Sequence, residues 1–196
     1  MSLSRDEAAA NLRTIEQAGQ RSAQALGYAR SSPYFSLWGV IWILGYAGSD
    51  LLPRLGYSPR NRNWLWLTLS LVGIVGTILI SNRQHRAQYA ADADAKRRAW
   101  LRWVGGAIVV SFFVTALRLA IGPRFEQLAS VFFPLLVALF YGLASLKLGV
   151  RYFVASIAVT ALTLSAYLYL PEYFLLWMAA AGGGSLILVG LWMSKV

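Results

Sequence analysis

The chain has 196 residues, of which 58% are hydrophobic and only 13% charged; a soluble domain carries about 25% charged residues. It has no cysteine, which excludes disulfides, thiolate metal sites and thiol catalysis. The net charge of +10 would suggest a nucleic-acid partner in a soluble protein. Here it has a simpler source, because Lys and Arg concentrate in the cytoplasmic loops of membrane proteins.

The first thirty residues contain acids and no apolar core segment, so they do not form a cleavable signal peptide. Without cysteine, a lipoprotein signal is excluded too. Residues 4 to 30 read as a helix outside the hydrocarbon, opened by the capping-box spacing Ser4 and Glu7. Leu12, Ile15, Ala18, Ser22, Leu26 and Ala29 recur at steps of three and four, one helical face. Ser31-Ser32-Pro33 is expected to end this helix, since the residue before a proline disfavours the α conformation. Three roles fit the stripe: a helix lying on the membrane, a docking helix for a protein, or a lid packed on a bundle.

From Ser31 onward the chain repeatedly runs for about twenty residues without a charge. The windows are Ser31 to Ser49, Asn63 to Asn82, Gln127 to Leu146, Tyr152 to Pro171 and Tyr173 to Ser194. Another, Trp103 to Pro123, is broken only by Arg118. A hydrocarbon core roughly 30 Å thick needs about 20 helical residues to cross. Buried helices of a soluble core are shorter, so that alternative fails. The expected fold is all-α and polytopic: an N-terminal amphipathic helix over 1–32 and a six-helix transmembrane domain over 33–196. The spans fall near 33–52, 63–82, 99–122, 126–147, 151–170 and 173–194.

Counting Lys and Arg over alternate connecting segments gives thirteen on one side and five on the other. The positive-inside rule then places both termini in the cytoplasm. Tyr34, Trp38, Trp64, Trp66, Trp100, Trp103 and Trp192 stand at span ends, where aromatic residues favour the headgroup level. Residues 81–102 form the largest cytoplasmic loop. Its cations Arg83, Arg86, Lys96, Arg97 and Arg98, with Leu12 and Ile15 of the first helix, are the candidates for binding anionic headgroups or a cytoplasmic protein. A purely topological signal would look the same.

Within the spans, small residues allow close helix approach in lipid. Ala138 and Gly142 are spaced by four, and Gly182, Gly183 and Gly184 lie in a seven-residue run of Ala, Gly and Ser. That run serves either packing or a local unwinding, as at transport sites. Arg118 lies near the outer end of its span. It either snorkels or forms a structural ion pair, or it joins Asp50, Arg54, Arg124, Glu126 and Glu172 in an outer-face ligand site. Tyr34 to Trp38 echoes Tyr173 to Trp177, each just after a proline, which fits aromatic anchoring on both faces or an inverted repeat.

The chemical inventory argues against an enzyme. The single histidine, His85, is in a loop, and the membrane windows contain no Asp or His. No nucleotide-binding, metalloprotease or hydrolase motif occurs. No cofactor or metal is expected.

The phrases SSPYFSLWGVIWILGY (31–46) and PEYFLLWMAAAGGGSLILVGLW (171–192) resemble small multi-span bacterial membrane proteins encoded beside helix-turn-helix regulators. The resemblance implies a bacterial inner membrane, a regulatory partner and no established activity, and it carries over no functional residues. No direct nucleic-acid contact is expected. The expected function is a non-enzymatic membrane sensor or tether that binds a cytoplasmic regulatory protein. The alternative is a small homo-oligomeric transporter or channel for a small molecule or ion.

Overall fold

A computed structural model describes residues 5–86, 93–122 and 124–195. It leaves outside the described set the side chains of 5–10, 12, 93, 95, 96, 99, 103, 124, 126 and 127. The described residues form helices and short turns, with no strand among them. The helices are α1 (Arg5–Arg54), α2 (Pro59–Gln84), α3 (Ala93–Ile121), α4 (Arg124–Leu148), α5 (Val150–Tyr169) and α6 (Pro171–Ser194). Each contains a segment long and apolar enough to cross a membrane, and these segments overlie the six uncharged windows of the sequence.

The core lies where α1 and α6 run against each other and where α4 packs on α5. Phe35, Trp42, Tyr46, Tyr152, Ala155, Val159, Met178, Leu186 and Met193 are buried there. At the centre of the α1–α6 contact, Gly39 faces Gly183. A Cβ on Gly39 would sit 2.8 Å from the Gly183 carbonyl, and one on Gly183 would sit 2.9 Å from the Gly39 carbonyl. Glycine is required there because two backbones share the space a methyl would occupy. α2 packs along α1, and α3 stands at the edge against α4. Among the described residues, the crossing segment of α3 has none buried.

Three prolines sit inside helices, Pro33 and Pro53 in α1 and Pro134 in α4, and each withdraws the N–H that the carbonyl four residues earlier would receive. In α4, Pro134 is fully buried. The carbonyl four residues earlier, on Ser130, accepts a 3.1 Å hydrogen bond from the Tyr46 hydroxyl of α1. In α1, Pro33 withdraws the donor for the Ala29 carbonyl, and the carbonyl of the next residue, Arg30, accepts a 2.8 Å hydrogen bond from Gln84 Nε2 of α2. Membrane helices tolerate proline when neighbours satisfy the freed groups in this way.

The second of these arrangements corrects one sequence expectation. Ser31-Ser32-Pro33 does not end the first helix, because α1 is continuous over 50 residues. Local propensity at Ser32 is outweighed by packing on both sides of the proline: Tyr28 and Phe35 are buried, and Gln84 takes the Arg30 carbonyl. At about 1.5 Å per residue, α1 is roughly 75 Å long. That is more than twice the thickness of a hydrocarbon core.

Candidate functional site

The N-terminal part of α1 leaves the bundle as an arm. Residues 11 and 13–24 are exposed, and of the apolar stripe Ile15 is 67% exposed and Leu26 55%. The arm is not folded back as a lid. A free helix of this length is marginal in water, but this one continues a packed helix and needs no new nucleus.

The root of the arm is held by a cluster of hydroxyl, aromatic and cationic groups. α5 begins after Gly149, whose φ of 99° lies in the left-handed region that glycine adopts without strain. The turn directs the first backbone N–H groups of α5 toward α1. There the Tyr28 hydroxyl accepts a 3.4 Å hydrogen bond from the Arg151 backbone N–H and a 3.1 Å one from Gln24 Nε2. A side chain of another helix therefore does the work of an N-cap, which Gly149 has no side chain to do.

Arg151 occupies the first turn of α5, where the helix dipole disfavours a cation. Its guanidinium is compensated by two aromatic faces, 4.9 Å from the Tyr28 ring centre and 4.8 Å from that of Trp192. It also donates to the Trp192 carbonyl at 2.6 Å. A cation held between rings gains about 0.5–2 kcal/mol from each, depending on solvent exposure. One layer deeper, the Tyr152 hydroxyl donates to Ser31, and its ring packs edge-on against Phe35 and Tyr141. The root thus joins α1 to α5 and to the last turn of α6. Tyr34 adds α2 by donating to Gln84 at 3.3 Å.

The sequence candidates fall elsewhere. Arg83, Arg86, Arg97 and Arg98 are exposed around the same end of the bundle. His85, expected as a loop residue, closes α2 with its backbone N–H on the Ser81 carbonyl at 3.0 Å. The side chains of Leu12, Lys96, Arg124 and Glu126 lie outside the described residues. At the opposite end, Asp50 is paired with Arg54 one turn along α1, Nε to Oδ2 2.9 Å. Arg118 is exposed on the last turn of α3. Asp50 thus meets Arg54, another residue of the expected outer-face site, because residues four apart on one helix are neighbours.

The small residues have separate neighbours. Ala138 is buried and its carbonyl accepts from Ser156 at 2.7 Å, while a Cβ on Gly142 would lie 3.1 Å from the same hydroxyl. Met178 to Gly183 form a π-helical turn within α6. Gly182 and Gly183 are buried in it, and an added Cβ on Gly184 meets no atom within 4 Å.

No family model, curated protein or solved structure matches the chain.

The cluster at the root went unread in the sequence, although two signals point to it. Tyr28 is the one aromatic residue among the first thirty, in a segment otherwise polar and Ala-rich. Arg151 stands two residues after a glycine at a helix start, where a cation calls for compensation. Among the described residues no group of His, Asp or Glu could hold a metal.

Proposed function

We propose that this protein is a non-enzymatic membrane tether. Six spanning helices hold it in a bacterial inner membrane with both termini cytoplasmic. The α1 arm receives a cytoplasmic regulatory protein. One observation carries the reading: α1 continues past the length needed to cross a membrane and presents an uncovered apolar stripe with Ile15 and Leu26. Docking of a helix through apolar positions at i, i+3 and i+4 is a recurrent mode of recognition. The exposed cations Arg83, Arg86, Arg97 and Arg98 around the same end supply a basic rim that steers an acidic partner. The root cluster gives the arm a fixed bearing on α5 and α6, so load on the arm reaches the bundle.

Affinity purification from native membranes tests the reading. The intact protein is expected to retain a cytosolic protein, and deletion of residues 2–24 or the double change Ile15→Glu/Leu26→Glu to release it. Deletion at residue 24 removes the Gln24 donor but spares Tyr28, Arg151 and Trp192, so the bundle keeps the rest of its root. Recovery of the intact protein with no cytosolic companion, or equal retention by the deletion, defeats the reading.

A further inference from the structure

An open groove of about 380 Å³ lies between the root of the arm and the α4–α5 corner, lined by Gln20, Ala23, Gln24, Gly27, Lys147 and Leu148. Its volume is within the range of small-molecule sites, roughly 300–1,000 Å³. Its chemistry is two-sided. Lys147 supplies a cation that is paired with no carboxylate among the described residues. Gln20 and Gln24 supply amide groups. The Tyr28 hydroxyl, beside Gln24, accepts two hydrogen bonds and keeps its own proton to donate. Leu148 in the lining is 40% exposed, and next to the lining residues in the chain Leu146 is 82% exposed and Val150 65% exposed.

Gly149 makes the site possible. A Cβ there would fall on Gln24 Nε2 and the Tyr28 hydroxyl oxygen, so only glycine lets the arm come this close to the corner. Arg151 contributes positive potential from behind, but its own bonds to Trp192 and its two ring contacts fix it in place. Trp192 and Tyr28 also mark the depth, since such rings sit at the headgroup level of a membrane.

From these observations we infer that the groove binds the phosphodiester of an anionic phospholipid. Lys147 and the glutamine amides hold the phosphate, and an acyl chain runs down over Leu146 and Val150. Free phosphate shares the polar half of this chemistry but has no use for the apolar rim. A bound headgroup would bridge the arm to the α4–α5 corner and hold the arm at its root. The inference rests on the membrane reading above, and flotation of the full chain with phosphatidylcholine vesicles reports that reading separately.

The test is native mass spectrometry of the full-length protein released from detergent micelles. Dioleoylphosphatidylglycerol, dioleoylphosphatidylcholine and inorganic phosphate are titrated in turn. One phosphatidylglycerol is expected to stay bound under conditions that strip phosphatidylcholine. Lys147→Gln should lower that retention about fivefold, the effect of one basic group near an anionic surface. Lys147 is exposed, so the change leaves the fold intact. Arg83→Gln, at the same end but outside the groove, should leave retention unchanged. Equal retention of the two lipids, an equal loss in Arg83→Gln, or displacement of the lipid by millimolar phosphate would each overturn the inference.

Discussion

A glycine's worth in this bundle depends on the single atom that stands where its Cβ would go. Gly183 and Gly184 are neighbours in one run of small residues, yet their surroundings differ completely. At Gly183 an added methyl meets the Gly39 carbonyl and the Ile43 backbone nitrogen at 2.9 Å, and backbone cannot swing aside as a flexible side chain can. At Gly184 nothing lies within 4 Å, and alanine is the better helix former by about 1 kcal/mol. Gly183→Ala is therefore expected to cost about 1–3 kcal/mol through overpacking, while Gly184→Ala is neutral or stabilising. Thermal unfolding in detergent, followed by circular dichroism, separates the two; similar midpoints would mean that α1 and α6 do not meet at Gly39. From sequence these glycines were one motif, because spacing cannot say which side of a helix finds a neighbour.

Helices in this chain depend on each other for hydrogen bonds that their own sequences give up. Pro134 frees the Ser130 carbonyl within α4, and Tyr46 of α1 takes it. Tyr46 also stacks edge-on against Trp42, Trp66 and Phe174, with centroid distances of 5.9, 5.1 and 6.4 Å. Trp66 in turn donates to Ser49 at 2.9 Å. Removing only the hydroxyl, as Tyr46→Phe, leaves a partly buried carbonyl without a donor, at about 1 kcal/mol. Pro134→Ala restores a local N–H to that carbonyl. The two changes should therefore couple: Tyr46→Phe is expected to cost measurably less when combined with Pro134→Ala than in the parent. A double-mutant cycle of unfolding free energies measures this, and strict additivity would refute the exchange of partners. The same logic explains why Pro33 fails to end α1. A proline penalty of about 3 kcal/mol is a local quantity, and a contact that holds α1 in place beside it, Gln84 on the Arg30 carbonyl, comes from more than fifty residues away in the chain.

At the scale of the whole molecule, the helices alternate in direction between two ends. One end gathers Arg30, Gln84, Arg151 and Trp192; the other gathers Asp50, Arg54 and the Tyr46 cluster. The proposed orientation puts the first of these in the cytoplasm. Because the chain has no cysteine, single cysteines can be introduced without background. Cysteines replacing Gln20 and Lys195 should resist a membrane-impermeant maleimide in intact cells and react after permeabilisation, whereas one replacing Arg60 should react from outside. The opposite pattern would invert the protein and remove the basis for a cytoplasmic partner. The sequence by itself determined the six apolar helices and their approximate ends. Those depend on the length of uncharged runs such as Asn63 to Asn82, and length along the chain is a one-dimensional quantity. It also held the alternating charge pattern and the small residues that permit close packing. Only the tertiary structure decided that α1 runs unbroken through Pro33, that Asp50 belongs to Arg54, and that Tyr28, Gln24, Arg151 and Trp192 form one cluster. The physical reason is the same in each case. A propensity or a charge acts within a few residues, whereas a freed carbonyl, a cation at the wrong end of a helix and an uncapped N–H are satisfied by whatever the fold brings within about 3–5 Å. In this chain those partners come from helices far apart in sequence.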